Sequence, residues 1–122
     1  MIIVGTRLEV SDNSGAKIVE CIKLLNNLQW ASIGDIIVVS VKSTIAKQKT
    51  KVEKGGIYKA LIVESVKGVQ RKDGSVLRFT RNSIVILSPQ GGPIGTRILG
   101  LVSYELRKRN QSKVLSLASV VI

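Results

Sequence analysis

ALIVESVKGVQRKDGSVLRFTRNSIVI, residues 60–86, sets two runs of branched aliphatic residues around a basic, turn-rich middle. The flanking ALIV and SIVI have the composition of strands, because branched side chains pack well on a pleated surface. Between them Asp73 and Gly74 form a hairpin signal: a two-residue turn of the favoured hand needs positive φ at its central positions. The same middle carries Lys67, Arg71, Lys72, Arg78 and Arg81 against a single acid, Asp73. Five cations on one hairpin call for a counter-charge from outside the chain.

Outward from this stretch, turn signals recur at SDNSG (11–15), IGD (33–35), KGG (54–56) and PQGGPIG (89–95). Asp and Asn bond their own backbone in such turns, and Gly tolerates positive φ. The runs between them, TRLEV, AKIVECIKLL, DIIVVSVKS, IYKALIVESV, SVLRF and SIVILS, are rich in Val and Ile. Short strands separated by turns predict an all-β barrel or sandwich. DIIVVSV and ALIV are nearly continuous rather than alternating, so part of the outer face is expected to be covered as well. From Ser103 the texture changes. SYELRKRN is read as a short helix with Ser103 as N-cap and Glu105 in its first turn, followed by a short helix or strand in SKVLSLASVVI. The expected whole is mainly β: a small β-barrel over about residues 1–100 and a helical appendix over about 101–122, in one domain.

A chain of 122 residues is long enough to bury one core, and 44% hydrophobic residues argue against disorder. No apolar run approaches the about 20 residues that span a bilayer. MIIVGTRLEV has neither a basic leader with a cleavage site nor the Arg- and Ser-rich texture of a transit peptide, so no targeting segment is expected there. One cysteine, Cys21, and no histidine leave an internal disulfide and a Cys/His metal cluster without partners. Cys21 lies in an apolar strand-like run and, lacking a neighbouring base, is read as a core residue rather than a nucleophile.

The net charge is +11, from 19 basic and 8 acidic residues. Its distribution matters more than its size. Segments 42–59, 67–81 and 104–113 together hold 15 basic residues and 3 acids, and the remainder is close to neutral. A surface that is charged for solubility alone mixes both signs, whereas concentrated positive charge fits a polyanion. The lysine-rich loop KSTIAKQKTKVEKGGIYK can follow phosphates and gain affinity from counterion release. With only 3% aromatic residues the chain lacks a stacking platform for single strands, so a structured RNA recognised by shape and phosphate geometry fits better. Trp30 is read as covering the end of the barrel. A membrane surface is the rival polyanion, but no basic amphipathic helix of useful length exists. The carboxylates Asp12, Asp35 and Asp73 sit in turns for backbone reasons, no pair has a spacing tied to acid–base work, and no phosphate-binding glycine motif is present. Neither an enzyme nor a cofactor is expected.

Residues 60–86 resemble the signature of the universal large-subunit ribosomal protein family fourteen, of bacterial and organellar type. Ala60, Leu61, Ile62 and Val63 fill its small and aliphatic slots, and nine residues separate them from Asp73 and Gly74. Phe79, Asn82, Val85 and Ile86 then follow at the family's spacing. VSDNSGAKIVECIKLL, IGDIIVVSVK, PIGTRILG, YELRKRN and SKVLSLA extend the resemblance over nearly the whole chain. It implies a five-stranded β-barrel with a C-terminal loop and small helices, no catalysis, and a place on the large subunit near the subunit interface. Implied partners are large-subunit rRNA, small-subunit rRNA through an intersubunit bridge, the neighbouring large-subunit protein of family nineteen, and a ribosome-silencing factor. On matching positions, rRNA contacts fall to Lys47, Lys49, Lys51 and Lys54 of the loop and to Lys67, Arg71, Lys72, Arg78 and Arg81 of the hairpin. Lys17, Lys42 and Lys59 are counted with them. Thr96, Arg97, Arg107, Lys108, Arg109 and Lys113 form the face for the bridge or the silencing factor.

A free-standing RNA-binding barrel, such as an assembly factor, is the alternative from a different class. Frequent Ile, Lys, Ser and Asn hint at an AT-rich genome, so an organelle-encoded protein of the mitochondrial matrix is expected, with the bacterial cytoplasm as the alternative.

Overall fold

The computed structural model describes residues 2–26, 29–45, 52–104, 106 and 112–122. In chain order the elements are β1 (Arg7–Val10), β2 (Ala16–Leu24), β3 (Ile36–Thr44), β4 (Ile57–Glu64), β5 (Val69–Gln70), β6 (Val76–Leu77), β7 (Ser83–Leu87), β8 (Ile98–Val102), α1 (Ser112–Leu117) and β9 (Ala118–Val121). Strands β1-β2-β3-β4-β7 close into a barrel, as the family resemblance implies. Its ladders are antiparallel except at the closure, where β1 meets β7 in parallel.

The inward row follows from the two-residue period of a strand. Val19, Cys21, Ile37, Val39 and Val41 alternate along β2 and β3 and are at most 1% exposed. Ala60 and Ile62 of β4 lie beside their register partners Ile86 and Ile84 of β7 and line the same interior. Burying each large aliphatic side chain contributes roughly 1.5–3 kcal/mol, so this interior is the main source of stability.

The continuous runs mean what was expected of them only in part. On β4 and β7 the outward residues Leu61, Val63, Val85 and Leu87 are also buried. The 88–94 loop folds back along β7, with the Ile94 amide donating to the Ile86 carbonyl at 3.0 Å, and β8 packs against β4. On β3 the outward Ile36 and Val38 stay half-buried.

Cys21 is buried, and desolvation pushes its thiol above the ordinary pKa, which keeps it a protonated core group. Trp30 departs from expectation. Ile2 and Ala31 pair through backbone bonds of 3.1 and 2.7 Å and are themselves fully buried, so they close that end of the barrel. Strand-like alternation then turns the neighbouring Trp30 outward, where it is 42% exposed.

The C-terminal region is not only helical. Helix α1 runs directly into β9, and β9 pairs in parallel with β8. SKVLSLASVVI therefore forms both a helix and a strand rather than one of them. The helix expected over SYELRKRN lies mostly outside the described residues; within them, the Leu106 amide donates to the Ser103 carbonyl at 3.3 Å. No helix among the described residues is long and apolar enough to cross a membrane.

Candidate nucleic-acid interface

Between β4 and β7 the chain leaves the barrel as a small ribbon, β5 paired with β6. The turn is longer than Asp73 and Gly74 alone predicted. The Gly74 amide donates to the Arg71 carbonyl at 3.1 Å, the Arg71 amide to the Ser75 carbonyl at 2.8 Å, and Gly74 takes φ 90°. This is a three-residue loop, 72–74, ending in a left-handed glycine. At the base of the ribbon Gly68, with φ 76°, lies so close to Leu77 that a Cβ there would run into the Leu77 carbonyl oxygen. The base is also tied to the barrel: the Phe79 amide donates to the Ser65 carbonyl at 3.2 Å, and the Val66 amide to Asn82 Oδ1 at 2.9 Å.

The five cations of this segment divide into groups that sequence alone treats alike. Lys67, Lys72 and Arg78 are exposed and have no ion-pair partner among the described residues. The single acid forms no ion pair with them. Asp73 Oδ1 accepts from the Ser75 hydroxyl at 2.6 Å and from the Ser75 amide at 3.0 Å. Those bonds from Ser75, the hydroxyl first, hold the Asp73 carboxyl below its ordinary pKa, and Arg71 adds only a small further pull. Arg71 is partly engaged, since its Nη2 donates to the Ile122 carbonyl at 2.7 Å and fastens the ribbon to the C-terminal strand region.

Arg81 is held within the fold. Its Nε donates to Glu64 Oε2 at 3.0 Å, its Nη1 to Glu9 Oε2 at 3.0 Å and its Nη2 to Ser11 Oγ at 3.3 Å. The Glu64 side chain is only 6% exposed, so this carboxylate is withdrawn from water and held by the guanidinium. The bond to Glu64 is also what raises the Arg81 pKa most. Glu9 and Ser11 flank the seam where β1 and β7 share only two Cα pairs, Glu9 with Ser83 and Val10 with Ile84. Arg81 thus clamps the barrel closed, and its charge is already balanced within the fold.

The lysine-rich segment stands elsewhere. Lys59 pairs with Leu87 at the far end of β7, whereas the ribbon joins the last residues of β4 to the first of β7. The two basic regions lie on the order of 15 Å apart along the strand. Lys54 and Lys17 are exposed at the lysine-rich end, where Ala16 pairs with Thr44. Lys42 is exposed too but contacts Glu20 at 3.4 Å. Lys47, Lys49 and Lys51 lie outside the described residues, as do Arg107, Lys108 and Arg109.

Thr96, Arg97 and Lys113 are exposed on the C-terminal part. Thr96 and Arg97 lead into β8, whose Ile98 pairs with Ala118 just after α1, the helix that carries Lys113. Sequence reasoning passed over Asn13, which turns out to hold the 96–97 segment by three hydrogen bonds. Asn in a turn has a sufficient local explanation, so no signal in SDNSG marked this longer reach. Among the described residues no cluster of acids and thiols could hold a metal ion.

A barrel with exposed cations on a ribbon at one end and lysines at the other can grip a rigid phosphate lattice at two places. A profile of the family described as Ribosomal protein L14p/L23e matches residues 1–122, the full length of the chain. The chain belongs to this family, whose members are structural constituents of the large ribosomal subunit that bind its rRNA.

Proposed function

We propose that the ribbon cations Lys67, Lys72 and Arg78 bind phosphates of large-subunit rRNA, with Arg71 beside them and Lys17, Lys42, Lys54 and Lys59 forming a second contact. Lys47, Lys49 and Lys51 extend that second contact along the lysine-rich loop. One observation carries this assignment: Lys67, Lys72 and Arg78 are exposed and form no ion pair with any described residue, the lone acid of the ribbon included, so their charge is open to an outside partner. Thr96, Arg97 and Lys113, with Arg107, Lys108 and Arg109, form the surface that faces small-subunit rRNA in an intersubunit bridge. The same surface serves a ribosome-silencing factor when one docks there, and a protein of family nineteen is the neighbour within the subunit. The role is structural, with no catalytic step, and mitochondrial ribosomes are the proposed location.

Sedimentation separates this role from that of a free-standing RNA-binding factor. Large subunits washed at high salt are expected to retain the chain in a one-to-one ratio with their rRNA. Loss of the chain into the supernatant, with intact rRNA left behind, would favour a transient assembly factor. Performed on purified mitochondria, the same fractionation checks the compartment.

A further inference from the structure

The segment before β8 lies antiparallel to the SDNSG turn. Ile98 pairs with Asp12, and the Leu99 amide donates to the Ser11 carbonyl. Beyond that short pairing the backbone contacts are replaced by one side chain. Asn13 Oδ1 accepts from the Thr96 amide at 2.8 Å and from the Arg97 amide at 3.2 Å, while Asn13 Nδ2 donates to Thr96 Oγ1 at 2.8 Å. The turn that carries Asn13 is itself rigid. Asp12 is 6% exposed; its Oδ1 accepts from the Ser14 hydroxyl at 2.6 Å, and its Oδ2 accepts from the Ile86 amide of β7 at 3.0 Å. Gly95 permits the close approach: a Cβ there would stand 2.7 Å from Asn13 Oδ1 and 3.1 Å from Asp12 Cβ.

Asn13, Thr96 and Arg97 are all exposed, and Arg97 has no ion-pair partner among the described residues. A clasp of exposed groups adds little to global stability, because water competes for each bond. What it does restrict is the direction in which two consecutive side chains leave the backbone. We propose that Asn13 is a positioning residue: through the Thr96 and Arg97 amides it presets the surface that those two side chains offer to an RNA phosphate backbone. The proposal rests on the bridge assignment above for its partner, though not for its geometry. Ordering the segment in the free subunit removes an ordering cost from the moment of docking.

Two measurements on the full chain and its large subunit test it. In Asn13→Ala, amide hydrogen exchange at Thr96 and Arg97 is expected to quicken roughly threefold to tenfold, with Ile84 and Ile86 unchanged. Gly95→Ala, which crowds the same oxygen, is expected to do likewise. Large subunits carrying Asn13→Ala should join small subunits with affinity reduced roughly threefold to tenfold, and the effect should vanish in an Arg97→Ala, Thr96→Ala background. Unchanged exchange at residues 96 and 97 would overturn the proposal. So would a joining defect of equal size in that background, or normal joining by Asn13→Ala when Arg97→Ala is defective. If Arg97→Ala with Thr96→Ala joins normally, the bridge assignment fails, and the exchange rates alone decide whether Asn13 positions the segment.

Discussion

Replacing Lys67, Lys72 and Arg78 together by alanine is expected to lower affinity for large-subunit rRNA by about 10²–10³-fold near 0.1 M salt. The logarithmic salt slope should become shallower by roughly 2–3, because each lost phosphate contact removes about 0.7–0.9 of a released counterion. The fold should not notice. All three side chains are exposed, and none has an ion-pair partner among the described residues, so the thermal midpoint should stay within a degree or two of wild type, about what is seen for surface substitutions. Filter binding across a salt series, paired with thermal unfolding, gives both readings. A salt slope equal to that of the wild type would mean that the ribbon meets no phosphate. Arg71 is left out of the set on purpose. Its bond to the Ile122 carbonyl would mix a structural effect into the binding one.

Arg81→Ala is expected to behave in the opposite way: it destabilises the fold and leaves the salt slope alone. The substitution strips the buried Glu64 carboxylate of its guanidinium and removes the tie to Glu9 across the β1 and β7 seam. Breaking a fully buried ion pair costs about 3–5 kcal/mol, but the Arg81 side chain is 37% exposed and water screens part of the interaction. An expected loss of about 2 kcal/mol, or roughly 5–8 °C in a chain of this size, follows. Arg81→Lys should recover little of it, since one ammonium cannot replace a planar fork that reaches Glu64, Glu9 and Ser11 together. Urea unfolding measures the loss directly. An unchanged midpoint, or a salt slope that falls as it does for the ribbon variant, would show that Arg81 serves RNA rather than the barrel.

The contrast between Lys72 and Arg81 shows how far the chain's letters carry. Strand composition and turn glycines were enough for a mainly β chain, because branched side chains suit a pleated surface and positive φ at Gly15, Gly34, Gly55 and Gly74 is a local demand, while the five-stranded barrel was implied by the family resemblance of residues 60–86. The basic character of the 67–81 segment was equally plain. What the sequence could not convey was which cations remain unpaired, since that depends on contacts between residues far apart. Arg81 meets Glu9 across 72 positions, and Asn13 meets Thr96 across 83. Trp30 misled for a related reason: an indole beside a turn is a good lid, but the pairing of Ile2 with Ala31 had already closed that end and pointed the ring outward. The parallel pairing of β8 with β9 was hidden too, because two short aliphatic runs joined through α1 do not announce that they meet.

A density map of the assembled large subunit puts the central claim to its most direct test. The distances to measure run from Lys67 Nζ, Lys72 Nζ and the Arg78 guanidinium to the nearest rRNA phosphate oxygens. With charge-assisted bonds formed, at least two of the three should lie at about 2.7–3.2 Å, with Arg81 still on Glu64. A ribbon that faces solvent, or rests on protein with no phosphate near those three side chains, would contradict the account.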